Sequence, residues 1–216
     1  MTMQRTSDAL IAELVGELRP VRPLRLAEGI ALALAAAAVS AAAVIGLFGM
    51  RADWLAGRVD PMGLVATGMF LGLALAGIVT VVIMSRPQVG SDHGGWRWAA
   101  GMAGLLPVAG ALVALIRGRD AFSAEAMEHG IECLAVGSAA SLLVFAMLVM
   151  WLRRGAPTSP ERAGLVAGMA AGASGIFAFS LHCPIDDIIH IGLSHSAVVA
   201  AMALAGRVLV PRLVRW

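Results

Sequence analysis

An all-α membrane protein, a bundle of six transmembrane helices, is the fold class the sequence predicts, and three observations predict it. Of the 216 residues, 59% are hydrophobic and only 14% charged, against roughly 25% charged in an average soluble domain. Apolar stretches close to the ~20 residues that one helical crossing of a bilayer core needs recur along the whole chain. The segments between them are short and hold most of the charge.

The spans are predicted at 26–49, 62–84, 98–116, 133–152, 163–182 and 190–210. Span one follows Arg19, Arg22 and Arg25, as a secretory signal would, but its apolar run continues from Leu26 to Phe48. That is longer than a signal core and it follows a long mixed-charge segment, so it reads as a retained crossing. Span two opens after Pro61, and the connections Met50–Pro61, Ser85–Arg97, Arg117–Glu132, Arg153–Arg162 and Cys183–Ile189 are too short for a folded soluble domain. The expected organisation is a cytoplasmic amphipathic segment at 1–25, the six-helix domain at 26–210 and a cytoplasmic tail at 211–216.

Charge sets the orientation. All sixteen basic residues are Arg, which excludes Schiff-base lysine chemistry and the phosphate-cradling P-loop lysine. With the N-terminus inside, Arg5, Arg19, Arg22, Arg25, Arg86, Arg97, Arg153, Arg154, Arg162, Arg207, Arg212 and Arg215 are cytoplasmic. Only Arg51, Arg58, Arg117 and Arg119 fall outside. Cytoplasmic loops carry the excess of basic residues, so the expectation is a bacterial inner-membrane protein with both termini cytoplasmic and the lipid bilayer as its surroundings.

Span five carries Gly164, Gly168 and Gly172 at four-residue spacing. Small residues let helix backbones approach where lipid removes the hydrophobic drive, so this stripe reads as packing within the bundle.

The reactive side chains gather on the outer side. Cys133 opens span four and Cys183 follows span five, with His129, His182, His190 and His195 near the same surface and Asp186 and Asp187 beside Cys183. A helix over 123–132 would set Glu125, His129 and Cys133 on one face. Thiolate with imidazole suits soft or borderline metals, and an oxidising compartment equally permits a disulfide. Two cysteines in membrane helices are also common as inert small apolar residues. The mid-span positions are apolar apart from hydroxyls such as Thr67, Thr80, Ser141 and Ser174, which argues against a conduction path. An enzymatic alternative is a rhomboid-like intramembrane serine protease with Ser174, in Gly172-Ala-Ser-Gly175, paired with His190 or His195. The serine then sits on span five instead of span four, and the loop Met50–Pro61 is too short for that fold.

The N-terminal segment has helix-capping candidates at Thr6, Ser7 and Asp8, followed by Leu10, Ile11, Leu14 and Leu18 at helical spacing, opposed by Glu13 and Glu17. Its acidic polar face points to a protein partner with a basic surface more than to a membrane surface.

Three segments together resemble the NrsF family of bacterial membrane anti-sigma factors: Asp8–Leu14 through Arg19-Pro20-Val21, Leu152–Pro160 with the glycine-rich span behind it, and Phe179-Ser-Leu-His-Cys-Pro184. The resemblance implies a non-enzymatic protein that holds an extracytoplasmic-function sigma factor at the membrane, without touching nucleic acid itself. It implies that Cys133 and Cys183 sense heavy metals or oxidants from outside, with no obligatory cofactor and a soft metal ion admitted at the sensor. One departure stands out. Gly192-Leu-Ser-His195 occupies the place where an aromatic pair is expected after the His-Cys-Pro loop, which brings a further histidine towards the site.

Overall fold

A computed structural model of the chain describes residues 2–17, 23–87, 95–118 and 124–214, the side chains at 2–6, 96 and 124–127 excepted. All regular secondary structure among these residues is helical. The helices are α1 (Thr2–Glu17), α2 (Leu26–Phe48), the single turn α3 (Ala52–Leu55), α4 (Pro61–Met84), α5 (Gly95–Arg117), α6 (Ala124–Arg154), α7 (Pro160–Ser180), the short α8 (Ile188–His190) and α9 (Ser196–Leu213). A π-helical turn, Ile191–His195, joins α8 to α9.

Local chemistry sets several boundaries. Asp60 caps α4, accepting from the backbone N–H of Met62 at 2.8 Å, and Pro61 takes the first helical position, where a missing N–H has no helical partner to lose. Asp187 caps α8 in the same way, accepting from the Ile189 N–H at 2.8 Å.

Among the described residues, six helices are long and apolar enough to cross a membrane: α2, α4, α5, α6, α7, and α8 to α9 taken as one. Helix α7 is the axis of the bundle, with 89% of its span buried, whereas α2 and α5 are peripheral at 22%. Those outer helices expose Leu47, Leu105, Val108, Leu112, Leu115 and Ile116. A contiguous apolar surface of that kind is unfavourable in water and is what acyl chains solvate.

The core is made by close backbone approach. A Cβ on Gly168 would run into the Met202 carbonyl, one on Gly164 into the Gly206 carbonyl, and one on Gly172 into the Val199 backbone. The glycine stripe of α7 thus lies along α9 of the same chain. Mid-bundle hydroxyls are satisfied locally: Thr80, Ser141 and Ser174 each donate to the carbonyl four residues back at 2.7 Å.

The two ends of the bundle differ. At one end Trp151 Nε1 donates to Ser85 Oγ at 3.1 Å, the Ala156 N–H donates to the Ser85 carbonyl at 2.9 Å, and Arg154 approaches Glu28 at 3.9 Å. The chain enters α2 at this end. At the other end lie Phe48, Arg51, Arg117, Cys133 and the loop 181–187 that follows α7.

Helix α1 extends the sequence expectation back to Thr2, and its residues from Ser7 to Glu17 are all exposed. Leu10, Ile11 and Leu14 therefore form an uncovered apolar stripe. Leu18, Arg19 and Arg22 lie outside the described residues, as do Arg119 and Arg215. One boundary moves substantially: the helix of span four begins at Ala124, nine residues before the expected 133, because its first turns carry Glu128 and Glu132 and lack the apolar run that marks a span.

Candidate functional site, a buried thiol–imidazole cluster

Three helices meet at the end that holds Phe48 and Arg51. Cys133 comes from the early part of α6, Cys183 from the turn after α7, and His190 from the end of α8. All three are buried, at 1%, 3% and 4% exposure. The two Sγ atoms are 3.9 Å apart, and His190 Nε2 lies 3.3 Å from Cys133 Sγ and 3.6 Å from Cys183 Sγ. His195, also buried, stacks edge-on with His190 at a centroid distance of 5.2 Å.

Cys183 lies between the spans, and its thiol is pulled well below the usual thiol range. The hydrogen bond with Cys133 is the largest cause, burial opposes it, and His190 and His195 add to it. A thiolate stabilised in this way is the reactive form, both as nucleophile and as metal ligand.

The other expected site residues whose side chains are described lie around the cluster. His182 is half-buried and donates from Nδ1 to the Gly49 carbonyl at 3.1 Å. His129 is half-buried one helical turn before Cys133. Asp187 accepts from Arg117 at 2.8 Å; burial works against its ionisation, but Arg117 and the N–H groups of Ile189 and His190 outweigh it and lower its pKa. The side chain of Glu125 lies outside the described residues. Ser174 points its hydroxyl at the Ala170 carbonyl, while His190 faces the thiols.

Sequence reasoning treats Arg51 only as an outer-loop charge, yet it organises this end. Its side chain is 3% exposed and is gripped by Asp186, at 2.8 and 2.5 Å, and by Asp53, at 3.1 and 2.6 Å. Asp186, then Asp53, hold the guanidinium firmly in its charged form against burial, and Arg51 in turn lowers the Asp53 carboxyl. The Arg51 N–H also donates to the Leu181 carbonyl at 3.0 Å. The loop after α2 is thereby clipped to the loop after α7. The available signal was an arginine retained on the side where arginine is scarce, near two acidic residues.

Beneath this clip is a cavity of about 280 Å³ whose lining includes Arg51, His129, Glu132, His182 and both cysteines. A reagent that enters it meets both cysteines. Arg51→Gln removes the charge that ties both carboxylates and should loosen the cover. We expect a water-soluble maleimide to label Cys133 and Cys183 about tenfold faster, the change that follows from ~1.4 kcal/mol of lost closure. Mass spectrometry of timed reactions measures it; an unchanged rate would mean that Arg51 does not gate the cavity.

The fold and site together define a class: a polytopic helical bundle with a buried thiol–imidazole centre at one end and an uncovered amphipathic helix preceding its first span. Residues 14–216 match the family described as NrsF, negative regulator of sigma F. The chain is 33% identical over 213 residues to the anti-sigma-F factor NrsF of Caulobacter vibrioides, covering 97% of both chains. It is 28% identical over 181 residues to the probable anti-sigma-F factor NrsF of Azospira oryzae, covering 80% of this chain and 81% of that one. No solved structure matches the chain. The chain belongs to the NrsF family.

Proposed function

We propose that this protein is an inner-membrane anti-sigma factor that holds an extracytoplasmic-function sigma factor on the cytoplasmic side and releases it when Cys133 and Cys183 react with a soft metal or an oxidant outside. The observation that carries the reading is the thiol pair itself, 3.9 Å apart with His190 against both sulfurs. It sits at the end of the bundle opposite the one where the chain enters α2. The family match supports the sigma-factor half of the reading.

In this reading residues 1–25 are the cytoplasmic binding segment, 26–210 the membrane domain and 211–216 a cytoplasmic tail. Leu10, Ile11, Leu14 and Leu18 meet the partner, and Gly164, Gly168 and Gly172 couple α7 to α9. The protein acts by binding and not as an enzyme.

The coupling is mechanical. Cys133, Cys183 and His190 belong to α6, the end of α7 and the start of the last span. A metal that binds both sulfurs displaces their protons. An oxidant that accepts two electrons, with two protons leaving the thiols, joins them at ~2.05 Å. The disulfide draws the outer ends of α6 and α7 together, and the metal ties both of them through His190 to the start of the last span. Because α7 and α9 approach as closely as backbone permits, from Gly172 down to Gly164 and Gly206, they move as one body and carry the shift to the inner loop around Arg153 and Arg162. Close-packed interiors transmit such displacements and do not absorb them.

The test uses membranes from cells expressing the full chain with its sigma factor. The sigma factor is expected in the membrane pellet at rest and in the supernatant after treatment with a soft metal or thiol oxidant. Reporter fusions after Arg86 and Arg154 should read cytoplasm, and fusions within 117–132 should read periplasm. A sigma factor that never sediments with these membranes, or a periplasmic signal after Arg154, would overturn the reading.

A further inference from the structure

His195 has no regular-helix reason to face His190. Residues five apart on an α-helix are ~140° out of phase at ~100° per residue. The π-helical turn Ile191–His195 removes that offset, and the rings end 5.2 Å apart. Turns of this kind recur at functional sites. This one is held in place by α5: a Cβ on Gly192 would strike the Leu106 carbonyl and the Gly110 backbone one turn further along the same helix. As a result Cys133, Cys183, His190 and His195 each offer a sulfur or nitrogen within 4.8 Å of all the others, and all four are buried.

The distances among Cys133, Cys183 and His190 fit a metal, and His195 stands close enough to close in as the fourth ligand. Around a tetrahedral zinc, with Zn–S ~2.3 Å and Zn–N ~2.0–2.1 Å, two sulfurs stand ~3.8 Å apart and a sulfur and a nitrogen ~3.6 Å apart. The sulfurs here are 3.9 Å apart, and His190 Nε2 is 3.3 and 3.6 Å from them. Hydrogen bonding leaves part of the set unexplained, because His195 Nε2 is buried without a partner, and a buried polar nitrogen left unpaired is destabilising.

The entrance selects the sign of the ligand. Among the described residues, the one guanidinium lining the cavity, that of Arg51, is already paired with Asp53 and Asp186, and Glu132 lines the cavity as well. With the Arg51 charge matched by its two partners, the Glu132 carboxylate leaves the mouth favourable to a cation.

We propose that Cys133, Cys183, His190 and His195 form one tetrahedral site for a divalent cation of the zinc type, with His195 as the fourth ligand placed by the π-helical turn. The inference rests on the reading of Cys133 and Cys183 as sensing thiols, and it narrows their ligand to a cation bound by two thiolates and two imidazoles. Binding is an exchange without redox change: the cation enters, any protons still on the two sulfurs leave to solvent, and each imidazole supplies a neutral lone pair.

The test is a titration of the reduced full-length protein in detergent micelles with cobalt(II), which reports geometry by its colour. One equivalent should give the intense visible bands of four-coordinate cobalt with a near-ultraviolet sulfur-to-cobalt charge-transfer band, and zinc should bleach both. His195→Ala and His195→Asn should each lose the four-coordinate bands and bind at least about 100-fold more weakly, since even groups behind a metal's direct ligands are worth 10–100-fold. Circular dichroism and gel filtration show whether each variant folds, and the wild-type spectrum and stoichiometry stand independently of them. No cobalt binding by wild type, or an unchanged spectrum in a folded His195 variant, would overturn the site. Sensing is read separately, from sigma-dependent transcription in a strain carrying Cys133→Ser with Cys183→Ser. A missing metal site beside an uninducible strain defeats this inference alone, whereas a cobalt site beside a normally induced strain defeats the sensing reading alone.

Discussion

Changing Leu10 and Leu14 together to Asp should abolish capture of the sigma factor while leaving the protein in the membrane at its normal level. Both leucines are more than half exposed, as is Ile11 between them, so nothing within the fold loses packing when they change. In a complex the same stripe would be desolvated against the partner. A carboxylate forced into that contact without a counter-charge costs about 3–5 kcal/mol. A single penalty of ~4 kcal/mol weakens binding about a thousandfold, and two in one stripe exceed what a small helix can offset elsewhere. Glu13 and Glu17 already make this helix acidic, so added charge on its apolar face cannot be rescued by the basic surface that its polar face would meet. Co-sedimentation of the sigma factor with membranes measures the effect. Capture that survives the double change would move the contact to the inner loops around Arg86 and Arg153.

The spans were legible because bilayer crossing imposes length and composition, and both are readable from a single sequence. Helix α4 begins at Pro61 and ends at Met84, one residue from the expected start, because Asp60-Pro61 is a start signal that needs no tertiary context. The start of α6 was not legible in the same way. Glu128 and Glu132 lower the hydropathy of turns that are helical all the same, and hydropathy cannot distinguish a helix standing above the bilayer from a loop. The meeting of Cys133 and Cys183 follows from two consecutive antiparallel spans whose limits at one end of the bundle fall near those residues. The share of His195 in the cluster does not follow, because helical periodicity points it away from His190 and a π-helical turn has no hydropathy signature. The Gly192–His195 departure marks the place but not the geometry. Arg51 was hidden for a different reason: its partner Asp186 is 135 residues away in the chain, and only the folded bundle brings the two loops together.

If Cys133 and Cys183 sense as proposed, converting both to serine should lock the protein in the holding state, leaving sigma-dependent transcription at its uninduced level under soft-metal and thiol-oxidant stress alike. Serine keeps approximate size and a hydrogen-bonding hydroxyl beside His190, so the three helix ends can still meet and the resting arrangement persists. What is lost is specific to sulfur. A hydroxyl neither forms a disulfide nor ionises near neutral pH to bind a soft cation, whereas the hydrogen bonds of Cys133, His190 and His195 lower the pKa of the Cys183 thiol. Without a bridge, nothing draws α6 towards the end of α7, and the glycine contacts between α7 and α9 have no displacement to relay. Single changes should distinguish the two kinds of signal. Cys133→Ser leaves one thiolate and two imidazoles, a weakened three-ligand metal site, so some response to a soft metal should remain at high dose while the response to a two-electron oxidant disappears. A transcriptional reporter read across doses of each stress separates these outcomes. Full induction of the double variant by either stress would show that the thiols are not the sensor for it.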